Sequence, residues 1–192
     1  MTVRKDMIWE LGALSRRTLL RSGTLSAAAI GLLAGAPALL VPRRVEAAAE
    51  QDVRILNSAV SAEYEAIAAY QVGAESGLLK KPVLDLAVQF QGQHKEHADL
   101  LVSTVRKLGG SPAEAKAKYQ FPVEKLKTQD DVLRFAAGLE KGAVGAYLGA
   151  IPILGSGDLA KAAASILGDE AMHWAVLLYV LGENPVPHAF VS

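Results

Sequence analysis

One repeated pattern constrains this chain more than any other: the same polar residues recur inside apolar helical stripes in two halves of the sequence. Glu63 is followed seven residues later by Tyr70 and then by His94 and His97; Glu140 is followed seven residues later by Tyr147 and then by Glu170 and His173. The span from Glu63 to His97 equals that from Glu140 to His173 to within one residue. Such a repeat predicts two helical hairpins that present matching residues to one centre.

Periodicity predicts helices over 51–77, 82–108, 129–151 and 157–182. Gly77, Pro82, Pro152 and Gly155-Ser156-Gly157 punctuate them. Gly109-Gly110-Ser111-Pro112 opens a long link, in which Ser111 to Glu114 reads as a capping box on a short turn of helix. Two short links flanking a long one suit an all-α, four-helix bundle with a crossover between helices two and three. Alanine, leucine and lysine are frequent and alternating β-branched runs are scarce beyond residue 50, which fits the same class.

The six polar residues fall on the buried stripes. Glu63 interrupts Leu56, Val60, Ile67, Tyr70 and Ala74; His94 and His97 lie between Phe90 and Leu101 on a line through Val83, Leu86 and Leu108. Glu140 fills the gap in Leu133, Ala137, Val144, Tyr147 and Ile151, and Glu170 and His173 fill that in Leu159, Ala163, Ile166, Leu177 and Leu181. An unpaired carboxylate there would cost many kcal/mol or go neutral, and a bound cation removes the penalty. The i, i+3 spacing of His94/His97 and of Glu170/His173 lets both members of each pair reach one ion. Glu65, Glu75, Glu96, Asp99 and Asp169 fall off the stripes and are expected in solvent. For Tyr70 and Tyr147, a hydrogen bond to a liganding carboxylate and simple space-filling are both open. His188, in the tail, is expected to be exposed or to cap.

Composition narrows the chemistry. The chain has no cysteine, which excludes disulfides, thiolate zinc sites and iron-sulfur clusters, so any metal is held by nitrogen and oxygen. The first 47 residues carry seven Lys/Arg against three Asp/Glu, leaving thirteen against seventeen in the remainder. That mildly acidic body has no basic stripe, and nucleic acid is not an expected partner.

Residues 15–21 read Ser-Arg-Arg-Thr-Leu-Leu-Arg, an uncharged apolar run spans Thr24 to Val41, and Val45-Glu46-Ala47 or Ala47-Ala48-Ala49 offers a small-residue cleavage pattern. Residues 1–49 thus resemble a bacterial twin-arginine export signal, which implies the twin-arginine machinery as a partner and residues 50–192 as the mature domain. An uncleaved membrane anchor is the alternative. Either reading places the body in the periplasm or another extracytoplasmic compartment.

With Glu63, His94-x-x-His97, Glu140 and Glu170-x-x-His173 in order on four helices, the chain resembles the Glu, E-x-x-H, Glu, E-x-x-H pattern of the ferritin-like superfamily over residues 51–182, in particular its exported, stress- and desiccation-associated members. The resemblance implies a divalent metal centre with terminal carboxylates at Glu63 and Glu140, a bridging carboxylate at Glu170 and histidine ligands at His97 and His173. His94 departs from it, standing where the first motif would have its other bridging glutamate. Three glutamates against two divalent ions leave a net positive centre, so one ion or two are both open. Iron and manganese fit mixed nitrogen and oxygen ligation best, with zinc a further candidate.

Two functions follow as expectations. One is a metal-binding envelope protein relevant to oxidative stress or desiccation, with ferroxidase or catalase-like chemistry at a dinuclear site. The other is a non-catalytic bundle, stabilised by one metal or none, that serves a structural or partner-binding role; a homodimer is open under both. Iron storage in a cage fits poorly, because Glu183-Asn184-Pro185-Val186-Pro187 begins an extended tail rather than a fifth helix.

Overall fold

The computed structural model describes residues 40–191. The chain divides into two compact units at Pro42/Arg43, and the architecture below is that of the second. Most of the expected export segment lies outside the described residues. Among the described residues there are four α-helices and no strand: α1 (Leu40–Glu75), α2 (Lys81–Lys107), α3 (Gln129–Ala150) and α4 (Gly157–Val180). The expected all-α class is therefore observed. The largest difference at a helix start is α1, which runs unbroken from Leu40, through the stretch read as a cleavage region; α2 starts one residue early, at Lys81.

Two apolar layers show how the helices run. Leu56 and Val60 of α1, Leu101 and Val105 of α2, Tyr147 of α3, and Leu159, Ala163 and Ile166 of α4 form one cluster. Tyr70, Phe90, Leu133, Ala137 and Leu177 form the other. Along the chain α1 passes from the first layer to the second, α2 and α3 both pass back, and α4 returns. Consecutive antiparallel helices need only short links, whereas the parallel pair α2 and α3 requires a connection that travels the length of the bundle. Between the two layers lie Glu63, His94, Glu140, Glu170 and His173, all buried.

The long connection, residues 108–128, departs from the expected turn of helix at Ser111–Glu114. Asn57 occupies the backbone there instead: its amide donates to the Ser111 carbonyl at 2.9 Å, and its oxygen accepts from the Ala113 N–H at 2.7 Å. A side chain that satisfies both groups competes with a helical turn. Gly110 is required by close approach, since a Cβ there would lie 2.6 Å from Val53. The capping box sits later, where Thr128 accepts from the Asp131 N–H and Asp131 accepts from the Thr128 N–H at the start of α3. A short 3-10 helix at Val123–Lys125 precedes it, and another at Ile151–Ile153 bends the chain from α3 towards α4.

Asp52, which no pattern singled out, is buried, and its carboxylate accepts from the Gly155 N–H at 2.8 Å. With Gln51 donating to the Ile153 carbonyl at 3.1 Å, it fastens the α3–α4 turn to α1.

Candidate metal centre

Each helix contributes to the polar layer where its apolar stripe is interrupted, so the site is a consequence of the packing. The structure brings together all six residues singled out by pattern. Glu63, His94, Glu140, Glu170 and His173 are at most 3 % exposed, and His97 is 12 % exposed at the side chain. They form two overlapping groups, Glu63/His94/His97/Glu170 and His94/Glu140/Glu170/His173, whose ligand-type atoms all lie within 4.8 Å of one another. Either group could hold a metal ion.

His94 sits at the centre. Its Nδ1 lies 2.9 Å from Glu63 Oε2 and its Nε2 lies 3.3 Å from Glu140 Oε1. Glu170 faces both groups, with Oε1 3.1 Å from His97 Nδ1 and Oε2 3.5 Å from His173 Nδ1. The outer imidazoles follow one rule: Nδ1 points inward and Nε2 points to Asp169, whose Oδ2 is 3.3 Å from both rings. His173 Nε2 is also 2.9 Å from Gln93 Oε1.

Asp169 thus corrects the expectation that it is solvated. It is only 21 % exposed and faces two rings at once. The missed signal was its position immediately before Glu170, on the side of α4 turned towards α2; Gln93 stands in the same relation to His94. Glu65, Glu75, Glu96 and Asp99 are exposed as expected, as is His188. The open question over the tyrosines resolves to hydrogen bonding. Tyr147 donates to Glu63 Oε1 at 2.6 Å, and Tyr70 donates to Glu140 Oε1.

The electrostatics are those of a charged layer in a dry interior. Burial pushes the Glu63 carboxyl up, but hydrogen bonds from His94, His97 and Tyr147 outweigh it and leave it below the usual range. Glu140 is also held down, its burial outweighed by His173 and His94. Glu170 is raised, by burial and by the Glu140 carboxylate beside it. Burial lowers the His94 imidazolium, yet its bonds to Glu140 and Glu63 reverse this and hold it up at about 10; His97 is held at about 9 against the same penalty by Glu170 and Glu63. Both tyrosines are pushed up by burial and by their carboxylate partners, so they stay protonated donors.

The donor set fits a divalent cation on one observation. Among the described residues, His97 Nδ1, His173 Nδ1, Glu140 Oε2 and both Glu170 oxygens are buried without a hydrogen-bond partner. Buried polar atoms are nearly always satisfied, and the four of these on His97, His173 and Glu170 face one another across the two groups. Imidazole and carboxylate with no sulfur suit iron, manganese or zinc.

A cavity of about 550 Å³ opens between α1 and α3 and reaches the layer from the side opposite Asp169. Its walls are small, including Ala59, Ala62, Ala66, Gly142, Ala146 and Gly149, while Glu63, His94, Glu140 and Tyr147 line its inner part.

A four-helix bundle with carboxylates and imidazoles at its centre is the architecture of ferritin-like proteins. Residues 51–183 match the family model described as a ferritin-like domain, and the chain belongs to that family. No curated protein matches the sequence. Solved structures do. A conserved hypothetical protein from Mycobacterium tuberculosis is 25% identical with a TM-score of 0.64, over 76% of this chain and 99% of that one. The bacterioferritin-related protein from Bacteroides fragilis, described as a dodecameric thioferritin, is 22% identical with a TM-score of 0.61, over 70% and 86%. A ferritin-like, diiron-carboxylate protein from Bacillus anthracis is 18% identical with a TM-score of 0.62, over 70% and 97%.

Proposed function

We propose that this chain is an exported, extracytoplasmic ferritin-like protein that binds iron or manganese at Glu63, His94, His97, Glu140, Glu170 and His173 and uses it in redox protection. The observation that carries this reading is the set of unpartnered ligand-type atoms on α2, α3 and α4, in groups that Glu63 of α1 completes. The diiron-carboxylate description of one structural neighbour supports the choice of metal.

When bound, such ions would supply electron transfer and Lewis-acid chemistry to a small oxidant such as peroxide. The chain's own residues supply the rest. Tyr70 and Tyr147 orient the two terminal carboxylates, Asp169 and Gln93 orient the outer rings, and the α1–α3 cavity gives a small uncharged molecule a way in. Elemental analysis of untagged protein, followed by ferroxidase and catalase assays, tests the reading. Two outcomes count against it: absence of metal sinks the binding claim, and a loaded but inert site leaves the non-catalytic bundle.

Export rests on the Ser-Arg-Arg-Thr-Leu-Leu-Arg segment. Replacement of Arg16 and Arg17 by lysine should retain the protein in the cytoplasm, and fractionation of cells expressing both forms reads this directly. Self-association is supported by the exposed apolar residues Met172, Val176 and Tyr179 on α4 and by the dodecameric description of a neighbour. Light scattering on the purified protein measures it.

A further inference from the structure

His94 was the departure from the family pattern, and the structure gives that departure a use. The first group can be described by the distances among its ligand atoms. Glu63 Oε2 is 2.9 Å from His94 Nδ1 and 3.7 Å from His97 Nδ1; Glu170 Oε1 is 3.5 Å from His94 Nδ1 and 3.1 Å from His97 Nδ1. In the second group, Glu140 Oε1 is 3.3 Å from His94 Nε2 and 3.5 Å from His173 Nδ1, which is itself 3.5 Å from Glu170 Oε2. A tetrahedral ion with bonds of about 2.0–2.1 Å needs ligand atoms about 3.3–3.4 Å apart. Both groups scatter around that edge length, and each offers two nitrogens and two oxygens.

The two nests share two residues but no atom. Glu170 gives one oxygen to each, and His94 turns Nδ1 to one and Nε2 to the other. The geometry points to His94 as a bridging ligand, one imidazole ring joining two metal ions beside the Glu170 carboxylate. This rests on the metal-binding reading above. It replaces the missing fourth glutamate with a ring that closes the same charge balance. Coordination through both nitrogens displaces every N–H proton the ring carries, one from the neutral imidazole or two from the imidazolium, to solvent and leaves the ring with one negative charge. Three carboxylates and this ring then balance two divalent ions. The ring also holds the ions further apart than the roughly 3.5–4 Å of compact two-metal sites.

Copper(II), a spin probe for each nest, tests this on the full-length metal-free protein. Titration followed by elemental analysis should give two ions per chain. The electron paramagnetic resonance signal of the first should be lost as the second enters, because the ring couples the two spins. X-ray absorption should place the two ions beyond the compact range. His94→Glu should keep two ions, shorten their separation into that range and abolish the ring's scattering contribution between them. A single ion, or two whose signals simply add, overturns the bridge and leaves the metal-binding reading intact. No uptake at all overturns both. The wild-type spectra decide the matter even if the variant does not fold.

Discussion

Tyr147 on α3 gives its hydroxyl to Glu63 on α1, 2.6 Å away, while Tyr70 on α1 gives its own to Glu140 on α3. Each hairpin thus holds the other's carboxylate. The exchange fixes one oxygen of each glutamate: at Glu63 it leaves Oε2 facing His94 and His97, and at Glu140 it holds Oε1, the oxygen that also faces His94 and His173. Tyr147→Phe removes a buried donor and leaves Glu63 free to rotate. Loss of such orienting bonds costs about 10–100-fold in metal affinity. Competition titration against a chelator should show this loss for Tyr147→Phe and Tyr70→Phe alike, with the helical circular dichroism retained.

Asp169→Ala strips the outer nitrogens of His97 and His173 of a shared partner. Its effect should be of the same order, about 10–100-fold in affinity. Asp169→Asn keeps an acceptor oxygen and should recover a good part of it, as the same titration would reveal.

The metal-free protein should lose stability as pH rises. The His94 and His97 imidazoles are held up at about 10 and about 9 in the folded state, above their ordinary value of 6.5. A raised folded value means that protonation favours the fold: the contribution is complete below pH 6.5 and disappears as pH climbs through 9 to 10. Thermal melts of the apo form between pH 6 and 10 should fall across that window. Protein loaded with metal should fall less, because a cation takes over the neutralising role of the protons. A flat apo profile would contradict the ion-paired layer.

Gly142 lines the α1–α3 cavity and a Cβ there would meet nothing within 4 Å. Gly142→Leu should therefore be tolerated, and should gain helix stability of about 1 kcal/mol or less from propensity. It should slow reaction of the loaded protein with peroxide while leaving metal content unchanged. Stopped-flow rates alongside elemental analysis separate the two effects.

Much of this arrangement was legible in the sequence because helical periodicity leaves few choices for a buried carboxylate. Glu63 and Glu140 were found as interruptions of apolar stripes, and the E-x-x-H spacing located Glu170 and His173. Asp169 escaped because a stripe test assigns faces of one helix in isolation, and Asp169 is sheltered only when α2 packs alongside. Asp52 escaped for the same reason: its partner, the Gly155 backbone, lies in a turn over a hundred residues away. The supposed helical turn at Ser111 failed because a local capping signal was overruled by Asn57, a long-range partner that no window of sequence includes.

The crossover from α2 to α3 contributes no residue to the polar layer, and each nest takes three residues from one hairpin and its fourth from the other. Each set of four is closed only across the hairpins, so a cation entering the bundle acts as a rivet between two separately wound pieces. A proteolytic nick near residues 115–120 would sever the strap and spare the rivet, and the two fragments should stay together for as long as the metal does.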